Sequence, residues 1–249
     1  MRALVLGHQG MLGHMVAMYL RNMAVKVTIL DQRWPLCANE IREYQGDYII
    51  NCIGAIPQKT NQFSINYTLP MWLDTHADCK IIHPGTDCEM DEDAYGSSKH
   101  RAAQWIESEG QKTKILKTSI IGPELHSSTS LLEWFLAQQE EVYGYTEAMW
   151  NGNTTLEWSK HCLKLMKNWD KYHVVNILEG ERISKYEMLK LLKEVYEKQI
   201  KIMPKKCGSD KCLKGEIKTL PLKKQLLELK GFSLSSKPNA GLETEWPPR

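Results

Sequence analysis

A chain of 249 residues, 42% hydrophobic and 25% charged, has the composition of an ordinary globular protein and the length for one α/β domain with a small added lobe. Its 32 basic and 30 acidic residues leave a net charge of +2, a balance that suggests no nucleic-acid partner. Seven scattered cysteines (Cys37, Cys52, Cys79, Cys88, Cys162, Cys207 and Cys212) make neither a disulfide framework nor a metal motif, since only Cys207 and Cys212 are close and no second pair completes them.

The first strand is predicted at residues 3–6, an apolar run too short for the core of a signal peptide. No later stretch approaches the length of a membrane span, so a soluble, cytoplasmic protein without a membrane partner is expected. A helix follows at 11–22, then strands at 25–30 and 48–53, a helix at 64–75, a strand at 80–83, a helix at 94–108 and a strand at 114–120. Such alternation predicts parallel strands joined by helical crossovers, hence a doubly wound Rossmann sheet. Nearly continuous apolar strands fit a sheet covered on both faces.

Beyond residue 120 the pattern is less regular. Helices are predicted at 131–139 and 154–168, with Trp134 and Phe135 read as core, and a strand at 174–178. Ser184 and Glu187 form a capping box that opens a helix reaching about residue 198, and 200–203 reads as a last strand stopping before Pro204. From Ser233 the chain is poor in apolar residues, and a poorly ordered tail over 233–249 is expected.

Gly7, His8, Gln9, Gly10, Met11, Leu12 and Gly13 join the first strand to the first helix. Glycines there permit a tight turn, backbone approach to a pyrophosphate and close helix–strand packing, while the helix N-terminus presents free N–H groups to phosphate. Asp31 stands 18 positions after Gly13, at the end of the second strand, where a carboxylate accepts hydrogen bonds from an adenosine ribose. The expected cofactor is NAD(P)H. Asp31 favours NAD, Arg33 and His8 favour a 2′-phosphate, and the choice between NAD and NADP stays open.

Tyr95 and Lys99 lie four residues apart, on one helical face. A phenol titrates near about 10, and a neighbouring ammonium favours its ionised form, so Lys99 is expected to lower the Tyr95 pKa. Thr86, just past a strand, is placed to add a hydroxyl to the substrate oxygen. The pair means little alone, but it follows a glycine loop, a ribose acid and a strand-end hydroxyl in fixed order.

With these segments, with residues 47–55 (Asp-Tyr-Ile-Ile-Asn-Cys-Ile-Gly-Ala), 83–87 (His-Pro-Gly-Thr-Asp) and 117–123 (Lys-Thr-Ser-Ile-Ile-Gly-Pro), the chain resembles the extended short-chain dehydrogenase/reductase superfamily, in its dTDP-4-dehydrorhamnose reductase-like branch, over residues 1–200. That resemblance implies Thr86, Tyr95 and Lys99 as the catalytic set. It implies that Asn51, Cys52, Ile53, Gly54 and Ala55 lie against the cofactor, and that Thr118 and Ser119 flank nicotinamide and substrate. It further implies reduction of a 4-keto-6-deoxy sugar nucleotide, with Trp150 and Thr154 bordering the sugar.

An epimerase or dehydratase, or a non-catalytic NADP-binding regulatory subunit, are the alternatives. Asp87 and Glu89 suit the acid chemistry of a dehydratase. The basic run from Lys198 to Lys224 suits a diphosphate or, more simply, a solvated face. Residues 1–125 are expected as the cofactor core, 126–232 as the substrate lobe with the last core elements, and a homodimer is compatible with the sequence. Two departures stand out: the segment between Asp31 and Asp47 is too short for a further strand and helix, and residues 87–90 carry no aromatic side chain.

Overall fold

The computed structural model describes residues 1–235. In chain order the elements are β1 (Arg2–Leu6), α1 (Met11–Asn22), β2 (Lys26–Thr28), α2 (Ala38–Arg42), β3 (Tyr48–Asn51), α3 (Ile65–His76), β4 (Lys80–Gly85), a 3-10 turn (Asp87–Met90), α4 (Ala94–Ser108), β5 (Thr113–Lys117), β6 (Ile120–Ile121) and α5 (Leu131–Ala137). They continue through β7 (Glu141–Tyr145), β8 (Met149–Trp150), β9 (Asn153–Thr154), α6 (Thr155–Lys167), β10 (Val175–Glu179), β11 (Ile183–Ser184), α7 (Lys185–Val195), β12 (Lys201–Lys205), β13 (Ile217–Lys218) and α8 (Leu222–Ser235).

Seven of these strands form one all-parallel sheet in the order β13-β10-β5-β4-β3-β1-β2. Successive side chains of a strand point to opposite faces, and both faces here are apolar. Ala3, Val5, Ile50, Ile82, Leu116 and Leu178 meet α1 and α6, with Trp158 at the centre of that layer. Leu4, Leu6, Ile49 and Ile81 meet α2 and α3 on the other face, and Ile115 meets α4. The expected doubly wound fold is therefore present. Strand order reverses between β1 and β3, and the crevice beyond their carboxyl ends is where such sheets bind ligands. Between Asp31 and Asp47 there is only the short α2, so β2 is the sheet edge.

The irregular second half builds a smaller cluster. Phe135, Val142, Trp150, Ile183, Met188, Leu192 and Leu226 pack α5, α7 and α8 against the short strands. Phe135 is core as expected, whereas Trp134 is on the exposed side. Two further expectations change here. The strand expected to stop before Pro204 runs through it, as β12, and pairs in parallel with β7 outside the main sheet. Ser233 to Ser235 close α8 instead of opening a loose tail. The rest of the expected tail, 236–249, lies outside the described residues. No helix among the described residues is long and apolar enough to cross a membrane.

Candidate active site

The glycine loop has the geometry its spacing predicts. Gly7 has φ +73°, and a Cβ there would stand 2.9 Å from the Cys52 backbone. A Cβ on Gly13 would stand 2.1 Å from the Gly7 carbonyl oxygen, so only glycine lets the first turn of α1 close onto the strand. Gly10 is the N-cap and has no side chain to cover the first-turn N–H groups of α1. These features form a cradle into which a pyrophosphate fits, at a positive helix end. His8 lies between opposite charges: burial lowers its pKa, Asp31 opposes that and Arg21 adds to it. The structure thus brings Asp31 to the glycine loop, and Arg33 is exposed two residues further on.

Asn51 to Ala55 form the opposite wall. The Cys52 N–H donates to the Leu6 carbonyl at 3.0 Å. Asn66, buried on α3, clamps the end of this wall: its Oδ1 accepts from the Ala55 N–H at 2.7 Å, and its Nδ2 donates to the Ala55 carbonyl and the Ser98 hydroxyl, each at 3.0 Å. The sequence reading missed Asn66. Nothing local marks it, because α3 also carries Thr68, Asp74, Thr75 and His76.

Thr86 follows β4 and caps the 3-10 turn, with its hydroxyl accepting from the Cys88 N–H and donating to Asp87 Oδ1 at 3.0 Å. Asp93 caps α4 by accepting from the Gly96 N–H at 2.6 Å, which starts the helix so that Tyr95 falls in its first turn. Thr86 is close enough to Tyr95 to favour the ionised phenol. Phe63 meets the Tyr95 ring edge-on, with centroids 5.8 Å apart. Burial nevertheless pushes the phenol up to about 12, helped by the Cys88 thiol and by Asp87 and Glu89.

The expected lowering of Tyr95 by Lys99 is therefore corrected. Lys99 is only 8% exposed and turns inward: its Nζ donates to the Pro84 carbonyl at 2.9 Å and stands 3.4 Å from His83 Nε2. Burial lowers this ammonium to about 8, with Glu89 pulling the other way. Glu89 itself accepts from the Thr86 N–H at 3.0 Å and pairs with Lys117 at 2.5 Å. Both of its oxygens are thus committed to holding the turn in place.

Thr118 is buried and accepts from Asn153 Nδ2 at 2.9 Å, while Ser119 is half-buried at the same strand end. Trp150 and Thr154 do not reach the site. Trp150 is 4% exposed, and its ring lies where a Gly152 side chain would be. Thr154 is 0% exposed and caps α6 by accepting from the Glu157 N–H at 3.2 Å. Packing and capping use up both side chains, which corrects their expected place beside a sugar. The second half contributes Asn153, bonded to Thr118, and Lys211, which pairs with Asp91 at 2.6 Å and lies near Cys88 and Asp87. A concavity of about 920 Å³ along α7, lined by residues such as Arg182, Tyr186 and Lys190, contains none of these groups. Among the described residues, no three His, Cys, Asp or Glu side chains are grouped to hold a metal ion.

No protein-family model and no curated protein matches this sequence. Solved structures do. A dTDP-4-dehydrorhamnose reductase from Clostridium acetobutylicum superimposes with TM-score 0.75 at 17% identity, covering 94% of this chain and 100% of that one. A GDP-mannoheptose C4 reductase from Campylobacter jejuni, with NADP bound, gives TM-score 0.70 at 12% identity over 94% and 98% of the two chains. A dTDP-glucose 4,6-dehydratase from Bacillus anthracis, in complex with NAD, gives 0.68 at 13% identity over 95% and 97%. At these identities the likeness establishes architecture: over nearly its whole length, this chain has the doubly wound fold shared by those nucleotide-sugar reductases and that dehydratase.

Proposed function

We propose that this protein is an NAD(P)H-dependent oxidoreductase that reduces the keto group of a 4-keto-6-deoxy sugar nucleotide. The observation that carries the proposal is the meeting of Thr86 and Tyr95 at the carboxyl end of β4, beside the glycine-cradled crevice. Similarity in fold to sugar-nucleotide reductases, one of them with NADP bound, supports the substrate class.

Residues 7–13, Asp31 and the 51–55 wall would hold the cofactor, which would supply the hydride when bound. Tyr95 gives its proton to the carbonyl oxygen as that oxygen gains charge, and Thr86 turns its hydroxyl from Asp87 to the same oxygen. A phenol kept neutral by burial holds the required proton over the whole neutral range. Lys99 holds the cofactor ribose once it swings away from β4. Thr118 and Ser119 line the far side of the reacting centre. Lys211 receives the substrate diphosphate at the mouth of the site.

One observation removes Glu89, of the two carboxylates Asp87 and Glu89, as the acid of a dehydration. The Glu89 carboxylate is engaged by Lys117 and the Thr86 N–H, so it is not free as an acid or base. The test is a set of 4-keto sugar nucleotides offered with NADH or NADPH and followed at the nicotinamide absorbance. Net consumption of reduced cofactor supports the reading, and turnover without consumption points to an epimerase or dehydratase. Tyr95→Phe is expected to lose about 10²–10⁴-fold in kcat while retaining cofactor affinity. Full turnover in that variant removes Tyr95 from the chemistry.

A further inference from the structure

Beneath Lys99 lies a buried chain of two polar side chains, Asn51 and His83, to which the proposed reaction assigns no chemical step. Asn51 is 0% exposed and His83 is 2% exposed. Asn51 Oδ1 accepts from the Ile53 N–H at 3.2 Å, which fixes the orientation of the amide and leaves Nδ2 facing His83 Nδ1, also at 3.2 Å. Nδ2 can only donate, so Nδ1 must accept. A neutral imidazole with an accepting Nδ1 carries its proton on Nε2, and Nε2 is the atom 3.4 Å from Lys99 Nζ.

That N–H is compatible with an uncharged amine, whose lone pair accepts while its own hydrogen goes to the Pro84 carbonyl at 2.9 Å. It opposes an ammonium, which has no lone pair. Turning the imidazole tautomer round would place an N–H against the Asn51 NH₂, and flipping Asn51 would cost the bond from Ile53. The arrangement is consistent in only one protonation state of Lys99.

The geometry points to His83 as a positioning residue for Lys99: with its proton held on Nε2 by Asn51, it keeps the uncharged amine against β4 and releases it towards Tyr95 when the amine takes up a proton. The inference deepens the oxidoreductase reading and rests on it for the use made of the released lysine. The titratable groups facing Lys99 are His83 from β4 and Glu89 from the 3-10 turn, while Lys117 from β5 is held on Glu89. Tyr95, one turn earlier on α4, faces Thr86 and Cys88. The low titration of the buried lysine and the strongly lowered titration of His83 agree with the arrangement.

The test reads the two side chains directly, in the full-length protein without cofactor. Nitrogen-15 shifts of His83 are expected to report the Nε2–H tautomer, and an Nδ1–H tautomer overturns the inference. With carbon-13-labelled lysine, the Cε resonance of Lys99, assigned by its loss in Lys99→Arg, is followed against pH. In His83→Gln the side-chain oxygen can turn to accept from an ammonium, and the Lys99 midpoint is expected to rise by about one pH unit, a tenfold gain in proton affinity. Asn51→Leu, which frees the imidazole tautomer, is expected to raise it similarly. An unchanged or lower midpoint in the folded variants overturns the inference, and if neither variant folds the wild-type tautomer decides. None of these readouts needs turnover. An Nε2–H tautomer in a protein that reduces no sugar nucleotide would therefore sink the functional reading alone.

Discussion

On the carboxyl side of the main sheet, Thr86, Tyr95 and Ser119 stay partly exposed, whereas in the half from β6 to α8 similar side chains are consumed by packing. Thr86 and Thr154 show the contrast. Each is the N-cap of a following helical segment, but Thr86 is half-buried beside Tyr95 and Thr154 is enclosed between α6 and Gln225. The difference lies in what surrounds them. Thr86 opens a four-residue 3-10 turn just past β4, whereas short strands such as β8 and β9 must bury their residues against helices to exist at all. A hydroxyl or an aromatic ring has functional meaning only once its surroundings are known.

Substitutions can break or sharpen this contrast. The largest effect is expected from Trp150→Ala, at about 3–5 kcal/mol of stability, because it empties a packed position in the second-half core. Chemical denaturation measures it. A rise in substrate KM with unchanged stability would return Trp150 to the sugar site and erase the contrast. Gly13→Ala is expected to cost about 1–3 kcal/mol, since the added carbon meets a backbone oxygen at 2.1 Å. Cofactor affinity, read by nicotinamide fluorescence, should fall with stability. Wild-type affinity in this variant would separate the glycine loop from the cofactor. The smallest effect is expected from Lys211→Met, a rise in substrate KM of about fivefold, or about 1 kcal/mol, with cofactor affinity unchanged. A change in cofactor affinity instead would move Lys211 from the substrate side to the cofactor side.

The fold was legible because its signals are local. Apolar runs of strand length, the capping box at Ser184 and Glu187 and glycines at the first β–α turn act within a few residues of themselves. Thr86, Tyr95 and the glycine loop were legible for the same reason, since each sits at the end of an element whose position the pattern sets. The partners that bind them together were not. Asn66 holds Ala55 from 11 residues away and Ser98 from 32, and Asn51 meets His83 across 32. Lys211 reaches Asp91 across 120. The packing of α3 on α4, the parallel pairing of β3 with β4, and the return of the chain after β12 make those contacts.

The sequence by itself therefore determined the parallel α/β order, the glycine cradle and the helical face carrying Tyr95 and Lys99, because dihedral preference and hydrophobic period operate over short range. Tertiary structure alone decided which of those groups face one another. It turned Lys99 away from Tyr95 and onto His83, buried Trp150 and Thr154, and engaged Glu89 with Lys117. Burial and charge proximity depend on elements far apart in the chain, and these set whether a titratable group serves chemistry or packing.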